Sequence, residues 1–136
     1  MGKVMPLQKV IALGTATAGQ IEESKLLFGR TFGGGFEWVT EGLAKGRYSQ
    51  TMVQVEGVDS YLLVYSICDR KILFINAVAE LKGGKNDFAA LVEAMEILAE
   101  AKGCIGVEGL TLRAGMVKQL SENGFKPVGV CMTKIL

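Results

Sequence analysis

Apolar positions along the chain fall into two periods, and the alternation between them predicts an α/β order. Residues 9–15 make a short apolar run that reads as a strand, broken at Thr17 and Gly19 before a helix predicted from about Gln20 to Gly29. After Gly33-Gly34-Gly35, the spacing of Phe36, Val39 and Leu43 marks a second short helix, ended by Gly46. Tyr48 to Val55 alternates, Glu56-Gly57-Val58-Asp59 supplies turn chemistry, and Tyr61 to Cys68 returns as the second arm of a hairpin. Asp69-Arg70-Lys71 then turns into Ile72 to Val78, a nearly unbroken apolar run that predicts a strand covered on both faces.

Past Lys82-Gly83-Gly84-Lys85, the positions Phe88, Leu91, Val92, Met95, Leu98 and Ala99 recur at helical spacing over four turns. Asn86 is the expected N-cap, with Asp87 in the first turn at the positive end of the helix dipole. Gly103 closes this helix, and Cys104 to Glu108 reads as a strand that needs a crossover and hence a parallel neighbour. Leu112, Met116 and Leu120 mark a last helix, stopped at Asn123-Gly124, and Val128 to Ile135 is the expected final strand. The predicted order is β-α-α-β-β-β-α-β-α-β in one domain spanning 1–136, with a mixed, mostly antiparallel sheet of about six strands.

Charge and composition narrow the chemistry. Fifteen Lys and Arg against fourteen Asp and Glu leave a formal charge of +1, so no global field draws the chain to nucleic acid, and none is expected as a partner. No apolar run has the length of a membrane span or a secretory leader, which predicts a protein kept in a bacterial cytoplasm or a particle assembled there. Cys68, Cys104 and Cys131 show no paired spacing, so each is expected to be a small buried hydrophobe and no metal site is indicated. The chain has no histidine, which removes Ser-His and Cys-His nucleophiles and leaves carboxylates, Lys, Tyr, Cys and main-chain groups for any catalysis. Gly33-Gly34-Gly35 lacks the Lys-Ser/Thr of a phosphate-binding P-loop and reads as a connection, while Tyr48, Tyr61 and Tyr65 suit packing on the hairpin.

The element order from Ile72 onward, with the segments Gly103-Cys104-Ile105-Gly106-Val107-Glu108, Gly109 to Met116 and Asn123-Gly124-Phe125-Lys126, resembles the GNAT acetyltransferases, and among them small phage-encoded GNAT-like proteins. The resemblance implies acetyl-CoA docking where two parallel strands splay, with its pyrophosphate at the N-terminus of the long helix on a loop of the form Q/R-x-x-G-x-G/A. It makes Val78, Gly83, Gly84, Lys85 and Asn86 the candidate cofactor contacts, and Glu80 the candidate general base. Leu81-Lys82-Gly83-Gly84-Lys85-Asn86-Asp87 departs from the loop pattern, and Asp87 would compete with a pyrophosphate for the same N–H groups. The positions where the family carries an acidic Tyr and an upstream Asn fall on Leu120 and Arg113.

Two functions follow from this mixture. The first is a non-catalytic GNAT-like protein, phage-encoded, without a cofactor, serving as a virion or internal-core assembly module through a protein partner or self-association. The alternative is an N-acetyltransferase that uses acetyl-CoA and transfers acetyl to an amine by direct attack.

Overall fold

The computed structural model describes residues 10–31, 37–109, 114–128 and 134–135. Five strands form one sheet in the order β1 (Ile11–Gly14), β2 (Ser49–Val55), β3 (Val58–Cys68), β4 (Ile72–Glu80) and β5 (Gly106–Gly109). The first four are antiparallel neighbours, and β5 lies parallel to β4 because a helix intervenes. The helices are α1 (Ala18–Thr31), α2 (Glu37–Ala44), α3 (Phe88–Ala101) and α4 (Ala114–Glu122). The mixed, mostly antiparallel sheet agrees with the expectation, with five strands described where about six were expected. Most of the expected strand from Val128 to Ile135, and Gly33-Gly34-Gly35, lie outside the described residues.

Local chemistry accounts for the element ends. Thr17 caps α1 through a reciprocal pair: its hydroxyl accepts the Gln20 N–H at 3.2 Å, and Gln20 Oε1 accepts the Thr17 N–H at 3.0 Å. Helix α1 therefore begins before Gln20. The β2–β3 turn is also tighter than expected, needing only Glu56 and Gly57, both at positive φ, between the paired Val55 and Val58.

Both faces of the sheet are covered, as the unbroken apolar run of β4 implies. On one face Val53, Tyr61, Leu63 and Leu73 pack under Leu91, Met95 and Leu98 of α3. Each such side chain contributes about 1.5–3 kcal/mol of burial. On the other face Met52, Leu62, Val64, Ala77 and Ala79 meet Val39 of α2. No described helix is long and apolar enough to cross a membrane.

Two β-bulges offset the strands. One makes Ser60 the extra residue of β3 between the pairs Gln54↔Asp59 and Val53↔Tyr61. The other makes Asn76 the extra residue of β4 between Tyr65↔Ile75 and Val64↔Ala77. The second bulge changes the side-chain phase: Leu73 and Ile75 face α3, and the next residue to do so is Val78.

Candidate functional site

The parallel pairing of β4 with β5 runs from Ile72↔Gly106 to Ile75↔Gly109, whereas β4 continues to Glu80. Among the described residues this pairing reaches Ile75, one residue before the Asn76 bulge. Beyond it, the Leu81 N–H donates to the Ser60 carbonyl at 2.9 Å. Alternation along the antiparallel pair then turns the main-chain groups of Val78 and Glu80 away from β3, to the edge of β4 on which β5 pairs earlier in the strand. Among the described residues, no strand pairs with that edge of β4 from the bulge to the turn before α3.

That turn is strapped to the β2–β3 hairpin. Gly83 has φ +79°, and Gly84 lies so close to Ser60 that an added Cβ would stand 2.6 Å from its Cα. The Lys82 N–H donates to Glu23 Oε1 of α1 at 2.6 Å, Gly84 N–H to the Leu81 carbonyl at 3.0 Å, and Lys85 N–H to Ser60 Oγ at 2.9 Å. The Lys85 ammonium pairs with Glu56 at 2.8 Å. Among the described residues, the N–H groups of Gly83, Asn86, Phe88 and Ala89 have no protein acceptor. The turn therefore holds a mixture of committed and open donors.

Asp87, not Asn86, caps α3. Its backbone is extended at φ −137° and ψ 95°, and its carboxylate accepts the Ala90 N–H at 3.1 Å. The Asp87 N–H itself donates to the Tyr61 hydroxyl at 2.7 Å. Tyr61 is 2% exposed, and burial together with the neighbouring Glu80 carboxylate raises its pKa above the ordinary 10.0. This tie crosses 26 positions of sequence, and no local pattern announces it.

The remaining candidates separate. Glu80 is exposed at the end of β4, opposite Tyr61 in the register. Leu120 is half-buried on α4, and Arg113 lies outside the described residues. Cys104 packs against the α3-side cluster, in line with its expected apolar role. Cys68 departs from it: half-buried at the end of β3, its thiol accepts main-chain N–H groups of Arg70 and Ile72, which lower its pKa below the ordinary 9.0. A groove of about 1010 Å³, lined by Glu96, Glu100, Ile105, Val117 and Phe125, opens at the other end of α3. It touches neither Val78 nor the turn.

No protein-family model and no curated relative matches the sequence. Solved structures do match. The aminoglycoside N-acetyltransferase AAC(6')-Iy in complex with CoA is similar at 16% identity over 98% of this chain and 99% of its own, with TM-score 0.59. A Bacillus subtilis acetyltransferase in complex with CoA is similar at 19% identity over 88% of this chain and 77% of its own, with TM-score 0.64. A transcriptional regulator from Bacillus halodurans matches at 13% identity over 93% of this chain and 100% of its own, also at TM-score 0.64. At such identities the likeness speaks for architecture, and with the parallel β4–β5 pair and the strand-to-helix turn it establishes that the chain has the GNAT acetyltransferase fold.

Proposed function

We propose that the chain is an N-acetyltransferase that binds acetyl-CoA along the edge of β4 and transfers its acetyl group to an amine by direct attack. The observation that carries this reading is the edge of β4 beyond Ile75, where the main-chain groups of Val78 and Glu80 turn away from β3 and no strand pairs with them among the described residues. A pantetheine amide chain is an extended peptide-like group and can hydrogen-bond to such an edge as a strand does. The open N–H groups of Gly83, Asn86, Phe88 and Ala89 suit diphosphate oxygens at the positive end of α3. Support also comes from two fold neighbours solved with CoA.

In the reaction the lone pair of a neutral amine forms a C–N bond with the thioester carbon and the C–S bond breaks. The proton lost by nitrogen ends on the sulfur of CoA. With Leu120 in place of an acidic side chain, water carries that proton, and acceleration rests on holding the two reactants together. Glu80, exposed at the strand end, is the candidate carboxylate for relaying the amine proton through water.

A second reading, a GNAT-fold binding module without catalysis, is favoured by one observation: the N–H groups of Lys82, Gly84, Lys85 and Asp87 are already committed to protein acceptors. A virion assembly role belongs to this reading and rests on the sequence resemblance alone. Melting the protein with and without acetyl-CoA decides between the two. Ligand at a hundred times its dissociation constant stabilises by about 2.7 kcal/mol and raises Tm by several degrees. An unchanged Tm at millimolar acetyl-CoA eliminates the enzyme.

A further inference from the structure

The largely apolar sheet face under α2 carries a group of polar residues near the Asn76 bulge. Gln50 of β2 lies opposite Val64 of β3, and Val64 is opposed in turn by Ala77 beside the bulged Asn76. Gln50 falls between Tyr48 and Met52 in a period of two, and both of those belong to the cluster on this face. The group includes Ser66, whose hydroxyl accepts the Asn76 Nδ2–H at 3.0 Å.

The hydrogen-bond inventory of the group is lopsided. Gln50 Oε1 is buried with no partner among the described residues. Asn76 Nδ2 also donates to the Phe74 carbonyl at 3.3 Å, which fixes its amide and leaves Oδ1 as an unused acceptor among the described residues. Ser66 Oγ adds a third oxygen. Three neutral oxygens with spare lone pairs, and no fixed charge among them, match the three N–H bonds of a primary ammonium. An unmet buried acceptor carries a standing free-energy cost, which favours turning the Gln50 amide toward an arriving donor.

We infer that Gln50, Ser66 and Asn76 form the subsite for a primary amine. The inference rests on the acetyltransferase reading for its catalytic meaning: Asn76 follows the last described β4–β5 pair, Ile75↔Gly109, so an amine held there lies beside the edge proposed for the thioester. Neutral acceptors suit this task because they hold the amine without the fixed negative charge that would keep it protonated.

Side-chain amide signals of the ¹⁵N-labelled full chain, titrated with ethylammonium chloride, test the subsite. Tetramethylammonium chloride, which has no N–H, controls for charge and ionic strength. The Gln50 and Asn76 signals are expected to move to saturation with ethylammonium and to stay in place with tetramethylammonium. Gln50→Leu is expected to weaken the Asn76 response at least about tenfold while leaving Tm equal or higher, because it removes an unmet buried oxygen. Ser66→Ala, a smaller change, provides a second variant with the same direction of effect. Equal responses to the two salts, or a full ethylammonium response in both variants, overturns the subsite. The acetyl-CoA melting shift is read separately: a shift without an ethylammonium response defeats only the subsite, and the reverse defeats only the enzyme.

Discussion

The Tyr61 hydroxyl on β3 accepts the main-chain N–H of Asp87 at 2.7 Å, so the residue that caps α3 is held from the floor of the sheet. Tyr61→Phe removes the acceptor and leaves a half-buried N–H unmet, which is expected to cost about 1–3 kcal/mol in denaturant unfolding. The pH dependence gives a second check. The folded pKa of Tyr61 is raised, so the folded state keeps a proton that the unfolded chain releases. Stability from this group is complete below the ordinary value of 10.0 and falls as pH rises from there toward the folded pKa. The difference in unfolding free energy between wild type and Tyr61→Phe is therefore expected to shrink above pH 10; a constant difference removes this account.

Asp87 serves the helix and obstructs an anion at once. Its carboxylate satisfies the Ala90 N–H, so Asp87→Ala is expected to lower stability by about 1 kcal/mol. Asp87→Asn keeps a capping oxygen and removes the charge, so stability is expected to change by less. Because a negative side chain at this end of α3 repels phosphate, Asp87→Asn is expected to tighten acetyl-CoA binding about two- to fivefold by isothermal titration. Equal or weaker binding places the diphosphate elsewhere.

Two neighbouring glycines in the turn fail for different reasons when enlarged. An added Cβ at Gly84 meets the Ser60 Cα at 2.6 Å and its carbonyl oxygen at 2.9 Å, both main-chain atoms that cannot swing aside. Gly84→Ala is expected to cost about 1–3 kcal/mol and to loosen the turn from the hairpin. At Gly83 there is open space, and the cost of Ala there is the left-handed backbone at φ +79°, about 1–2 kcal/mol. Hydrogen exchange at Lys85, whose N–H is held by Ser60 Oγ, separates them: it is expected to quicken more in Gly84→Ala.

These ties explain what could be read in advance. The core face of α3 was legible because Leu91, Met95 and Leu98 repeat at the helical period and are buried. Thr17 and Gln20 also carried a local signal, a capping pair three residues apart, which places the start of α1 before Gln20. The Asn76 bulge was not legible: in an apolar run covered on both faces, a slip of phase leaves no change in the pattern. Nor was the choice of Asp87 over Asn86 as cap, since both side chains suit the position and the Tyr61 hydroxyl, distant in sequence, decides it. The site's donor inventory likewise depends on Glu23 and Ser60, which only the folded chain brings to the turn.

Cys68 offers a test of local electrostatics away from the proposed site. It ends β3 at the Asp69-Arg70-Lys71 turn, where Lys71 has φ +59° and the N–H groups of Arg70 and Ile72 point at the sulfur. Those donors favour the thiolate, with a smaller contribution in the same direction from the Arg70 guanidinium. Alkylation by iodoacetamide, mapped by peptide mass, is expected to titrate at Cys68 with an apparent pKa below 9.0 and to outpace Cys104 near neutral pH. Arg70→Gln keeps the main-chain donors, so it is expected to slow Cys68 only modestly. A Cys68 rate that tracks that of Cys104 across the whole titration, or one abolished by Arg70→Gln, shows that the turn amides do not set its reactivity.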